Sequence, residues 1–356
     1  MASGTGQRFF LSFLVTLALI GAVSSTANFT ILGNITSEAN EALNNLFSNS
    51  SSGRVRRAAD ILDSFPTYNQ VTEWMKSLQR MFPGAVAVES VAKTSEGRQM
   101  NAIIINHAKS WNTVFIVANL HALEWGSSIS ALYIIKELAT NSASYPELRF
   151  RFIIIPIANP DGYEYSRVSD RLWRKNRSPQ FDHEYGVDLN RNFGYKWYKV
   201  VSEIGTEPLE ETYRGPEPFS EVESKFIKTA LSTLKDVLVL YVDLHAPGHT
   251  ITYPWGFSKR RPSNLDKIQS IAAAGAAGIL NDAGTHYKYG SLSELQGVVV
   301  GSSIDYCFAI DVNACIGMKV GGEIELETNR ILQVGQETMA AVKAMSLKAM
   351  EYKSSL

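Results

Sequence analysis

Apolar positions recur along this chain at two different periods, and blocks of the two kinds alternate. The runs "NAIIIN" (101–106), "TVFIVA" (113–118), "RFIIIPIA" (151–158) and "VLVLYVDL" (237–244) are short and apolar throughout, the pattern of strands buried on both faces. Between and after them, "YNQVTEWMKSLQRMF" (68–82), "SSISALYIIKELA" (127–139), "EVESKFIKTALSTL" (221–234), "LDKIQSIAAAGAAGIL" (265–280) and "VGQETMAAVKAMSLKAM" (334–350) repeat apolar residues every three or four positions, which predicts helices. The stretch "GEIELE" (322–327) alternates and predicts a closing strand. Strands alternating with helices indicate an α/β fold. No internal repeat interrupts the pattern, so residues 58–356 read as one domain.

The N-terminus changes the picture. Arg8 precedes an apolar stretch from Phe9 to Val23 and then small residues, the plan of a secretory signal peptide over residues 1–24. That run is short for a membrane span, which needs roughly 20 residues, and no later segment is long enough. Residues 25–57, rich in Asn, Ser and Thr and ending in "SSGRVRR", read as a short pro-segment cut after Arg57 by a basic-specific processing protease. The alternative is a solvated basic loop. Secretion gives meaning to the sequons at Asn28, Asn34, Asn49 and Asn176. It also makes Cys307 and Cys315, the chain's two cysteines, candidates for a disulfide closing a small loop, with two free thiols as the alternative. With 45% hydrophobic residues the chain is globular, and a formal net charge of −1 supplies no field for nucleic acid or an anionic membrane. A monomer is expected.

Candidate chemistry lies at the strand ends. His121 and Glu124 follow "TVFIVA" and His245 ends "VLVLYVDLH", so two buried strands deliver two imidazoles and a carboxylate at their carboxyl ends, the edge where open α/β sheets bind ligands. Catalytic zinc commonly takes three such ligands and keeps one position open. His-x-x-Glu alone is a weak signal, and His107, His183, His249 and His286 lack a partner carboxylate on a strand-to-helix turn.

From about Tyr68 to the last helix the chain resembles the zinc metallocarboxypeptidases of the carboxypeptidase A and B type. "SEGRQM", "HALEW", "NPDGYEYS", "DRLWRKNR", "GVDLNRNF", "YRGPEPFSEVES", "DLH", "YPWG", "YKYGS", "GSSIDY" and "EIELE" carry the resemblance, in that order. It implies a mixed, twisted sheet with helices on both faces and one Zn2+ on His121, Glu124 and His245. It further implies Arg174 as oxyanion stabiliser, Asn190 and Arg191 as the grip on the substrate's free carboxylate, and a glutamate as general base. Glu323, Glu325 and Glu327 alternate along one face, and matching "GMKVGGEIELE" to the family's closing strand without a gap selects Glu325. Ile304 falls at the position that sets side-chain preference and implies apolar or aromatic C-terminal residues. The substrates implied are the C-termini of peptides and proteins.

The pattern is broken at Leu123, where such enzymes usually carry an arginine, and at Gly297, in the place of the tyrosine that closes over substrate. An insertion containing Asn313, Ala314 and Cys315 separates "GSSIDY" from "GMKV". These departures keep a rival open, a catalytically silent relative that retains zinc and binds peptides. A membrane-anchored interaction protein is a third reading and rests on the N-terminal apolar run alone.

Overall fold

The computed structural model describes residues 60–106, 110–199 and 205–353. The proposed signal peptide, the pro-segment with its Arg57 cleavage site and the sequons at Asn28, Asn34 and Asn49 lie outside the described residues.

Eight strands form one sheet. In chain order the elements are helix α1 (Tyr68–Met81), strands β1 (Val86–Lys93), β2 (Gln99–Asn106) and β3 (Thr113–Ala118), α2 (Trp125–Thr140), β4 (Arg151–Ile155), α3 (Pro160–Val168) and α4 (Val222–Leu234). Then come β5 (Leu238–Gly248), β6 (Thr250–Tyr253), α5 (Leu265–Ala283), β7 (Lys288–Ser291), α6 (Leu292–Gln296), α7 (Ser303–Ala309), β8 (Cys315–Gly321) and α8 (Ile331–Lys353). The strand order is β1-β2-β4-β3-β5-β8-β6-β7. β4, β3, β5 and β8 run parallel, while β1/β2, β2/β4 and β6/β8 are antiparallel, which makes the sheet mixed. Helices α2, α5 and α8 pack together on one face, and α1, α4 and α7 lie against strands of the other.

The central strands have no solvated face, and their sequences show it. All six residues of β3 are buried, and fully covering a Val, Ile or Phe there contributes roughly 1.5–3 kcal/mol. Each predicted helix is present. On the α2/α5/α8 face, backbones approach so closely that Gly335 is required: a Cβ there would stand 2.4 Å from Cγ of Tyr133.

Two expectations fail. "GEIELE" is not a strand: the last central strand is β8, which stops at Gly321, and residues 322–327 are bends and irregular chain. Gly321 and Gly322 both take positive φ, 84° and 74°, a backbone path open to glycine at little cost, and they turn the chain away from the sheet before Glu323. The sequon at Asn176 is not on the surface. Asn176 is fully buried, its Oδ1 accepting from Val187 N at 2.8 Å and its Nδ2 donating to Glu221 at 2.7 Å.

Candidate active site

β3 and β5 are adjacent and parallel, and their outgoing connections leave in opposite directions, β3 through α2 to β4 and β5 toward β8. A crevice opens at such a switch point. The turn after β3 is built to put His121 and Glu124 into it. Asn119 takes a positive φ of 59°, and its Nδ2 donates to the carbonyls of His121 and Glu124 at 3.0 and 3.2 Å. Ser127 Oγ donates to Glu124 O at 2.7 Å and receives Asn119 N. Glu124 then stands at the N-cap of α2, and His245 arrives on β5.

The three side chains converge. His121 Nδ1 lies 3.0 Å from one oxygen of Glu124 and His245 Nδ1 lies 2.8 Å from the other. All three groups are buried, with a set of ligand atoms within 4.8 Å of one another. The outward nitrogens are each held by another carboxylate: His121 Nε2 is 2.9 Å from Asp188 and His245 Nε2 is 3.0 Å from Asp243. An imidazole whose Nε2–H is held by a carboxylate presents the lone pair of Nδ1, the arrangement behind metal-binding histidines. Two such nitrogens and one carboxylate, with no thiolate, suit zinc with a position left for substrate or water. The residues fit that metal.

Asp188 does more than orient His121. Its Oδ2 also receives Arg174 Nε at 3.0 Å and lies 2.9 Å from Arg174 Nη2. Burial would raise its pKa, but the charges of Arg174, His121 and Arg191 hold the carboxyl well below the usual range. The loop carrying Arg174 is pinned as well. Arg174 O accepts from Ala122 N at 2.9 Å, and Asn159 Nδ2 bridges Leu120 O and Lys175 O, both at 3.1 Å.

The cavity at this edge measures about 540 Å³. Arg174, Asn190, Arg191 and Ile304 line it beside the triad, so these predicted residues come together. Asn190 is engaged within the protein, its Oδ1 accepting from Ser303 N at 2.8 Å and its Nδ2 donating to Asp243 at 3.0 Å. Arg191 is different: Nη1 donates to Asn190 O at 2.9 Å, while its Nε is buried without a partner. An unpaired buried donor is costly, and in a cavity wall it points to an acceptor brought by a ligand. Ile304, 2% exposed, stands with Leu292, Leu295, Val299 and Met318 on the apolar side. Asp305 sits behind it and accepts from Gly256 N and Phe257 N.

Glu325 is the correction. It is exposed, lies beyond the Gly321–Gly322 turn, does not line the cavity, and has Arg171 as its charged neighbour. β8 delivers Met318 and Lys319 to the cavity, and Lys319 is paired in register with His245. Burial pushes the Lys319 pKa down, and Arg174 and Arg191 push the same way against the pull of Glu124. The ungapped match ran through "GMKV" as if the strand continued to Glu325, but β8 begins at Cys315 and is complete by Gly321. Sequence reasoning also missed Asp188 and Asp243. A signal existed for Asp243, which sits two residues before His245 on one strand and so shares its face.

A twisted mixed sheet carrying a His, Glu, His metal site at its switch point defines the class as a zinc hydrolase. The zinc carboxypeptidase profile matches residues 71–341, and the chain belongs to that family. It is a zinc metallocarboxypeptidase by family and by triad. The carboxypeptidase B of Astacus astacus is 30% identical over 298 residues, 80% of this chain and 96% of that one. The protein named inactive metallocarboxypeptidase ECM14 from Paracoccidioides brasiliensis is 33% identical over 224 residues, 58% of this chain and 38% of that one. Among solved structures, the carboxypeptidase A from Helicoverpa armigera superposes with a TM-score of 0.75 at 26% identity, over 89% of this chain and 82% of that one.

Proposed function

We propose that the chain takes the free C-terminus of a peptide or protein into this cavity, with an apolar last side chain, for hydrolysis of the last peptide bond. The observation that carries the reading is Arg191, which lines the same cavity as the zinc triad and whose buried Nε has no partner in the protein. A guanidinium pairs with a carboxylate through two parallel N–H bonds, which selects chain ends over internal peptide bonds. Asn190 holds Asp243 and Ser303 and so fixes the backbone from which Arg191 projects. Arg174, fixed by Asp188, places positive charge where a carbonyl oxygen gains negative charge. Zinc on His121, Glu124 and His245 would lower the pKa of water to about 7 and polarise that carbonyl. Ile304 and its apolar neighbours receive the last side chain, and among the described residues no acid lines that side of the cavity to attract Lys or Arg.

The proposal extends to a secreted monomer, with signal peptide 1–24, pro-segment 25–57 and cleavage after Arg57. The Cys307–Cys315 disulfide supports an oxidising compartment. The test compares peptides ending in Phe with a free carboxylate, with a C-terminal amide, and with Lys in place of Phe. Selective binding and release of the free Phe terminus is expected. Equal handling of acid and amide sinks the role of Arg191, and faster handling of Lys sinks that of Ile304.

A further inference from the structure

Lys319 is a charged residue of the cavity wall for which hydrolysis offers no use. The carboxylates that line the cavity among the described residues are Glu124 and Asp243. Glu124 meets two imidazole nitrogens, and Asp243 takes His245, Asn190 and Ser303 on Oδ2 behind the metal site, its Oδ1 being buried without a partner. Hydrolysis needs more: as water oxygen bonds to the carbonyl carbon and the C–N bond breaks, one water proton must leave and the departing amine must gain one. A free carboxylate beside the water does both. On the strand next to His245 the fold instead puts an ammonium, and among the described residues its Nζ has no hydrogen bond or ion pair. Together with Arg174 and Arg191 it makes three cations around one metal site.

We infer that Lys319 turns this site from cutting toward holding: the chain retains peptide C-termini at the metal site and releases their last residue slowly, with Lys319 as the determinant. An ammonium there attracts the electron-rich carbonyl and carboxylate of a bound peptide end, and it cannot take a proton from water while charged. The inference rests on the C-terminal recognition proposed above. Its ligand class is the free C-terminus of an apolar-ending peptide.

The experiment uses zinc-loaded secreted protein, with zinc content measured, as wild type and as Lys319→Glu and Lys319→Met. The probe is a fluorescent peptide ending in Phe, with its amide as control. Anisotropy gives the dissociation constant and mass spectrometry gives the fate of the bound peptide. Wild type is expected to bind the acid form over the amide and leave it mostly intact. Lys319→Met is expected to weaken binding roughly tenfold, in line with loss of one charge-assisted contact. Lys319→Glu is expected to speed Phe release by about 10²–10⁴-fold, the usual worth of a positioned base. Fast release by wild type that falls in Lys319→Glu overturns the inference and leaves C-terminal recognition standing. Indifference of every form to acid against amide removes the recognition itself. Should Lys319→Glu lose zinc or fold poorly, Lys319→Met decides alone, and binding as tight as wild type overturns the inference.

Discussion

Glu223 is a carboxyl group placed where ionisation is expensive, and replacing it with Gln gives a measurable test of the fold around Arg174. The side chain is 1% exposed in the first turn of α4, beside Glu221, with Asn176 Nδ2 at 3.4 Å as its polar neighbour. Burial first, and the Glu221 charge second, push its pKa from 4.5 up to about 8. Such a rise corresponds to at most on the order of 5 kcal/mol of folding free energy, and relaxation of the site brings the expectation to a few kcal/mol. The sign follows from the direction. The folded state keeps a proton that the unfolded state has lost, so stability is undiminished below about pH 4.5, declines as pH rises toward 8, and is level above. Glu223→Gln cannot ionise and still fills the space. The melting temperatures of the two proteins should therefore coincide near pH 4.5 and separate progressively, the variant being several degrees higher at pH 8.5. Taking the difference at each pH cancels the contribution of other titrating groups, metal ligands included. A gap that stays constant or narrows with pH would refute the reasoning.

Three further outcomes follow from described contacts. Arg191→Lys keeps the charge but loses the parallel pair of N–H bonds, so binding of free-acid peptides should weaken roughly 10- to 100-fold with zinc content unchanged; titration against acid and amide peptides checks it, and unaltered affinity for the acid would refute it. Asn176 should carry no glycan in secreted protein, because its amide is enclosed and hydrogen-bonded; peptide mapping after deglycosylation shows this, and a sugar at that residue would contradict the burial. Gly335→Ala would drive a Cβ into the Tyr133 ring and should cost about 1–3 kcal/mol, read as a lowered melting temperature and contradicted by an unchanged one.

The parts of this fold that the sequence announces are those in which one period dominates. β3 is buried along its whole length and α1 is amphipathic, so their patterns survive without tertiary knowledge. β6 and β7, four residues each, are too short for either period to register. The metal ligands were legible because His121 follows one strongly apolar strand, His245 follows the apolar run of another, and Glu124 caps a helix. Glu325 was misplaced because the charged run 323–327 alternates like a strand, while the element that enters the sheet is "CIGMKVG", where glycines interrupt the apolar series. Two consecutive glycines at 321 and 322 were the local signal that the strand had ended. Nothing in residue spacing alone announces that a lysine six positions earlier would pair in register with His245 and line the same cavity.

The disulfide between Cys307 and Cys315 encloses the end of α7 and the segment that leads into β8. Its span is small, but the ring it closes over residues 307–315 ties the helix that carries Ile304 directly to the strand that carries Lys319. A protease that nicks the chain between Phe308 and Ala314 would leave both halves joined. The cut would pass unseen by mass on a non-reducing gel and show as two fragments only after a thiol reductant is added. Tolerance of a single cut can thus be built into the same short loop that joins α7 to β8.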